Sequence, residues 1–217
     1  MKKQTGFTLI ELAIVLVIIG LLLGGVLRGQ ELINSARVKN ITRDFQNVQV
    51  YLYGYQDRFR SVPGDDNDAV GHVGSLTNAS SGGPLGNGQI GGEWDSTTTT
   101  DESYRFWHQV RLAGLAPGSI QVGTAEFEPR NASGGRIGVQ SIGANFTEIA
   151  NMRGSYAVCS GLILGRDALQ LDITLDDGNT ETGNVRAIAT ANAGGNAATT
   201  ADVTANQSRQ HTVCMSL

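Results

Sequence analysis

Glu11 is the first side chain in this sequence whose type and position ask for chemistry. It stands inside the apolar run "GFTLIELAIVLVIIGLLLGGV", residues 6–26. A carboxylate deep in a membrane costs about 2.5–3.5 kcal/mol on insertion scales, so it calls for a partner cation. Two thiols come next, Cys159 and Cys214. If the body is exported, an even pair reads as one disulfide. A zinc site is a poor reading, because His211 near Cys214 does not make two tightly spaced ligand clusters. Asp65, Asp66, Asn67 and Asp68 offer oxygen ligands for calcium, but Ala69 or Val70 falls where a calcium loop requires ligands or glycine. That run reads as a solvated turn.

"GNGQIG" (86–91) matches G-x-G-x-x-G in form, yet dinucleotide binding needs a strand before it and a helix after it. Neither is suggested. His108 has no catalytic partner in sequence and reads as a core or surface residue. No Ser/His/Asp, H-E-x-x-H or phosphate-loop constellation occurs. The expectation is therefore no catalytic residue, no metal and no cofactor.

The element that must position Glu11 is long. From Leu12 to Leu27 no residue is charged, and extension back to Phe7 gives about the 20 residues that span a bilayer as a helix. A secretory signal would be shorter and followed by a small-residue cleavage site; Gly24, Gly25 and Arg28 follow instead. The segment is expected to be retained, with Lys2 and Lys3 holding the N-terminus cytoplasmic. Gly20 and Gly24, then Gly25 and Gly29, have the spacing that lets helix backbones approach closely. Beyond Arg28, Val38, Ile41, Phe45, Val48, Leu52, Tyr55 and Phe59 recur at alternating threes and fours, one stripe of a helix. Pro63 in "SVPGDD" ends it. The divisions expected are 1–6, 7–27, 28–60 and a body at 61–217.

Within the body, 61–101 reads as loop chemistry throughout. Residues 101–115 read as a short amphipathic helix with Trp107 as a core anchor. Strand-like runs follow at 135–142, 155–164, 185–191 and 211–216. Leu169, Leu171, Ile173 and Leu175 alternate as in a strand, although a short helix is the open alternative. Asp176-Asp177-Gly178 reads as a turn, and 191–209 as loop. The formal charge is −4, and two of only three lysines precede Phe7. A mildly acidic body argues against a phosphate-binding surface, so no nucleic acid partner is expected.

"GFTLIELAIVLVIIGLL" resembles the N-terminus of type IV pilins and type II secretion pseudopilins. The resemblance is close over residues 2 to about 35 and extends in outline along the helix. One departure is Arg28, where many relatives have a proline near the membrane exit. The resemblance implies an α+β, pilin-like fold, a long N-terminal α-helix packed on an antiparallel β-sheet. It implies cleavage between Gly6 and Phe7 by an inner-membrane prepilin peptidase, and N-methylation of Phe7. Mature subunits of that kind pack their N-terminal helices in the core of a filament. The expected partners are therefore other pilin subunits, the peptidase, an assembly platform and the inner membrane. Glu11 would then meet the Phe7 ammonium of a neighbouring subunit in a dry core and set register.

The function implied is structural: a subunit of a bacterial type IV pilus or pilus-like filament. A secretion pseudopilin or a minor, priming subunit is the alternative. A membrane-anchored periplasmic enzyme is a distant one. The expected location is the inner membrane before assembly, and an extracellular pilus or periplasmic pseudopilus after it.

Overall fold

A computed structural model describes residues 8–75, 78–79, 83–143, 146–190 and 195–217. The chain divides into two compact units, Met1–Arg37 and Val38–Leu217. Helix α1 (Leu9–Phe59) begins in the first and ends in the second. In the first unit every large apolar residue from Leu9 to Leu27 is exposed, Leu9 to 88% and Leu21 to 73%. This helix is long and apolar enough to cross a membrane, with a mean hydropathy of 2.8 over its most apolar window.

The second unit starts where the stripe starts. Val38, Ile41, Phe45, Val48, Leu52 and Tyr55 are all buried, as the three-and-four spacing predicts. The helix stops one residue before Arg60, which takes a left-handed φ of 56°. Four antiparallel strands receive the stripe: β1 (Ile137–Ser141), β2 (Tyr156–Leu164), β3 (Val185–Ala189) and β4 (Gln210–Ser216), in the order β1-β2-β4-β3. Side chains alternate across a strand, so the sheet has two working faces. Val139, Val158, Val185, Ala187, Val213 and Met215 share a core with α1. Ala157, Cys159, Ile188 and Cys214 face the other way, with Trp94, Ile149 and Met152. The α+β class and the long helix with its antiparallel sheet are thus present and consistent with a pilin-like fold.

Several sequence expectations need correction. The 61–101 stretch is not loop throughout: α2 (Ala69–Val73) forms behind Asp68, whose side chain accepts from the Gly71 amide at 3.3 Å, and ends at Gly74 with φ 69°. Helix α3 (Glu102–Leu112) lies where expected but is not amphipathic. Every residue from Glu102 to Arg111 is buried, and backbone groups take up polar atoms of Glu102, Ser103, Tyr104, Gln109 and Arg111. Arg111 donates to the carbonyls of Pro117, Ser119 and Phe127 at 3.1, 3.0 and 2.6 Å. Gln109 accepts from the Gly64 amide at 2.5 Å. The open segment at 169–175 is helical, α4 (Gly165–Leu175). Ala168 and Leu171 face the core while Ile173 is 60% exposed, so the helical spacing overrides the alternation. Residues 191–209 are not all loop either. Helix α5 (Thr200–Ala205) buries Val203, and Thr199 caps it by accepting from the Asp202 amide at 3.0 Å.

Candidate functional site

The cut residues expected from sequence, Gly6 and Phe7, lie outside the described residues, as does the rest of the 1–6 segment. The site therefore begins at Thr8. Its amide donates to Glu11 Oε2 at 2.7 Å and its hydroxyl donates to the same oxygen at 2.8 Å. Glu11 returns a bond from its own amide to Thr8 Oγ1 at 3.3 Å. Thr-x-x-Glu is a capping box, in which the side chains at the two ends of the first turn satisfy otherwise orphaned amides. Sequence reasoning assigns Glu11 to a partner outside the chain and misses Thr8. The spacing Thr8-Leu9-Ile10-Glu11 ahead of an apolar run is the signal that could have found it.

The glycines at 20, 24, 25 and 29 are not demanded by the chain itself. A Cβ built at any of them meets nothing within 4 Å.

Cys159 and Cys214 are brought together. They are direct partners in the β2–β4 register, and their sulfurs are bonded at 2.08 Å. The bond lies on the sheet face opposite α1 and is fully buried.

The acidic run at 65–68 is solvated only in its second half, where Asn67 and Asp68 are exposed. Asp65 and Asp66 are 2% and 0% exposed. Asp65 accepts from the amides of Gly86, Asn87 and Gly88 at 2.6, 3.3 and 2.7 Å. The glycine-rich loop "GNGQIG" therefore does cradle an anion, but the anion is the chain's own carboxylate. Glu102, also 0% exposed, takes the Gly91 amide of the same loop at 2.6 Å. Burial raises the pKa of Asp65 and of Glu102 against the pull of these amides, and the neighbouring carboxylates add to it. Asp66 accepts from the Tyr55 hydroxyl at 2.7 Å and pairs with His72 Nδ1 at 2.8 Å. Burial pushes Asp66 up, yet the bonds from Tyr55, His72 and the Asp68 amide outweigh it and the net shift is downward.

His108 is buried with Nδ1 3.3 Å from Ser75 Oγ. Burial first, then the charges of Arg105 and Arg111, lower its pKa to about 4, so it is neutral near pH 7. Among the described residues no group of three His, Cys, Asp or Glu side chains is gathered as metal ligands.

One segment of the chain matches a known pattern. Residues 1–27 fit the prokaryotic N-terminal methylation motif. The chain carries that motif. It is the hallmark of prepilin-type cleavage in type IV pilins and pseudopilins, and supports a type IV pilin-like or pseudopilin protein. The methylation motif implies processing by prepilin peptidase and assembly into filaments, and it points to a structural subunit. Together with the exposed apolar helix it fits anchoring in the inner membrane before assembly. No curated protein and no solved structure matches the chain.

Proposed function

We propose that the chain is a structural subunit of a bacterial type IV pilus or pilus-like filament. It is cut between Gly6 and Phe7, N-methylated on Phe7, and assembled through α1. The observation that carries this reading is the methylation motif at residues 1–27, continued without interruption by a helix whose Leu9–Leu27 stretch is uncovered by the rest of the chain. So much exposed apolar surface needs first a bilayer and then other helices around it.

Glu11 supports the assembly step. Its Oε2 closes the capping box, while Oε1 has no partner among the described residues. Cutting before Phe7 creates an ammonium one helical turn from that oxygen in the sequence. In a filament core, the ammonium of an incoming subunit and a Glu11 already in place neutralise one another. A charge left unpaired in such a setting is strongly unfavourable.

The test is mass spectrometry of filaments sheared from cells expressing the chain. The expected N-terminal peptide begins with methylated Phe7. Filaments lacking this chain, or a mature chain starting elsewhere, would overturn the reading.

A further inference from the structure

An open cleft of about 560 Å³ on the body is lined by Asn151, Met152, Arg153, Gly183, Asn184 and Arg186. Its lining holds two guanidinium groups and no carboxylate, in a chain whose acids outnumber its lysines and arginines by 20 to 16. Arg186 projects from β3, where its register partner is Cys214. Its Nη1 donates to the Asn151 carbonyl at 3.0 Å and its Nε to the Gly183 carbonyl at 3.3 Å. Both acceptors sit on backbone in the left-handed region, at φ 59° and 74°. These two turns aim carbonyls at Arg186 and fix its fork, leaving Nη2 without an acceptor among the described residues. Arg153 is exposed and has no hydrogen-bond or ion-pair partner among them. A carboxylate that touches this wall, Asp176, accepts the amides of Asn184 and Val185 on its Oδ2 at 2.5 and 2.9 Å, which hold that oxygen to the backbone.

We propose that this cleft is an oxyanion-binding site, with Arg186 as the fixed fork and Arg153 as the free arm, for a small ligand bearing carboxylate or phosphate groups. A planar guanidinium matches either group with paired, charge-assisted hydrogen bonds. Magnitude sets the ligand's charge. One solvent-exposed ion pair is too weak to hold a singly charged anion. The ligand must engage both arginines at once and so carries at least two negative charges. Its size is bounded by a cleft within the usual range of small-molecule sites. The site is independent of the assembly reading, since it lies wholly within Val38–Leu217 and uses none of the methylation motif.

The experiment is calorimetric titration of the full chain in a non-ionic detergent with citrate, pyrophosphate and acetate at matched ionic strength. Citrate or pyrophosphate should bind in the millimolar range or tighter, while acetate gives no saturable heat. Arg153→Gln should weaken binding at least fivefold, and Lys39→Gln, on exposed helix surface outside the cleft, should not. Citrate alone identifies a carboxylate ligand, pyrophosphate alone a phosphate one, and both together a site that reads charge. Arg186→Gln also removes the bond to Asn151, so Arg153→Gln is the deciding variant, with its melting temperature checked against the parent chain. No saturable binding of either polyanion, or unchanged binding in Arg153→Gln, overturns the proposal.

Discussion

Thr8 and Glu11 close on each other across the first turn of α1, with Glu11 Oε2 receiving both the amide and the hydroxyl of Thr8. The carboxylate that looks out of place in an apolar run has a local role as the cap of its own helix. That role separates two experiments which would otherwise look alike.

Glu11→Gln keeps a capping-box side chain but removes the charge. The variant should enter the membrane at least as readily as the parent. It should be cut normally, and yet build few filaments. Cleaved subunit in membranes is compared with subunit in sheared filaments, Glu11→Gln being the only copy expressed. Parental filament yield alongside parental cleavage would remove the inter-subunit pairing role.

Thr8→Val does the converse. It keeps the Glu11 charge and takes away the hydroxyl bonds, a loss of about 1 kcal/mol at the helix start. Hydrogen exchange in detergent should show faster exchange over residues 8–12 and no change beyond Val38. Unchanged exchange at the first turn would mean that the capping box does not hold in solution.

Cys159→Ser with Cys214→Ser should lower the stability of the body by about 4 kcal/mol in the chain-entropy account of a cross-link, for a sequence separation of 55 residues. Denaturant midpoints of oxidised parent and double variant give the figure. Two freely alkylatable thiols in the native exported protein would show that the bond does not form there.

Asp172 is 1% exposed, its Oδ1 takes the Gly178 amide at 2.7 Å, and its Oδ2 is buried without a partner. Burial raises its pKa to about 6, with the Gly178 and Asn179 amides opposing and the charges of Asp176 and Asp177 adding to the rise. A carboxyl raised in the folded state favours folding when protonated. Its contribution is fully present below the ordinary carboxyl range and is lost as pH climbs through about 6. Asp172→Asn mimics the protonated form. Relative to the parent it should gain on the order of 2 kcal/mol between pH 4 and pH 7.5. His108 works in the opposite sense: depressed to about 4, it adds stability above its ordinary pKa that is lost as pH falls toward 4. Parent and variant are therefore compared at each pH, so that the His108 contribution cancels. A pH-independent difference would mean that Asp172 titrates as a normal carboxyl.

Gly138 on β1 and Gly24 in α1 should respond differently to alanine. A Cβ at Gly138 would run into the Trp94 carbonyl oxygen, whereas one at Gly24 meets nothing within 4 Å. Gly138→Ala should destabilise the body by about 1–3 kcal/mol, as overpacking does. Gly24→Ala should leave the melting temperature of the isolated subunit unchanged. Thermal melts of both in the same detergent decide the matter.

What the sequence reveals and what it hides divide along physical lines. The α1 stripe is legible because Val38 to Tyr55 carry apolar residues at helical spacing, and the one polar residue buried with them, Thr42, returns its hydroxyl to the Val38 carbonyl of its own helix at 2.9 Å. The strands are legible for the same reason, and Cys159 and Cys214 fall on two of them. Helix α3 is legible as a helix but its all-round burial is not, because burial of Glu102, Gln109 and Arg111 depends on amides and carbonyls distant in sequence, which no periodicity reports. Asp65 escapes it likewise, since its amide partners are 21 to 23 residues away. The caps at Thr8 and Thr199 are different, because their spacing is readable in the sequence alone.

The bond between Cys159 and Cys214 also bears on a chain under load. It joins the two central strands, and β3, α4 and α5 all lie in the segment it closes. If a pull on the flanking chain frays the sheet, those 55 residues of sequence separation stay shut behind a covalent link. At about 3.3–3.6 Å per extended residue, roughly 190 Å of contour length cannot be drawn out until the sulfurs part. A subunit built this way yields far less slack to a stretched fibre than its residue count suggests.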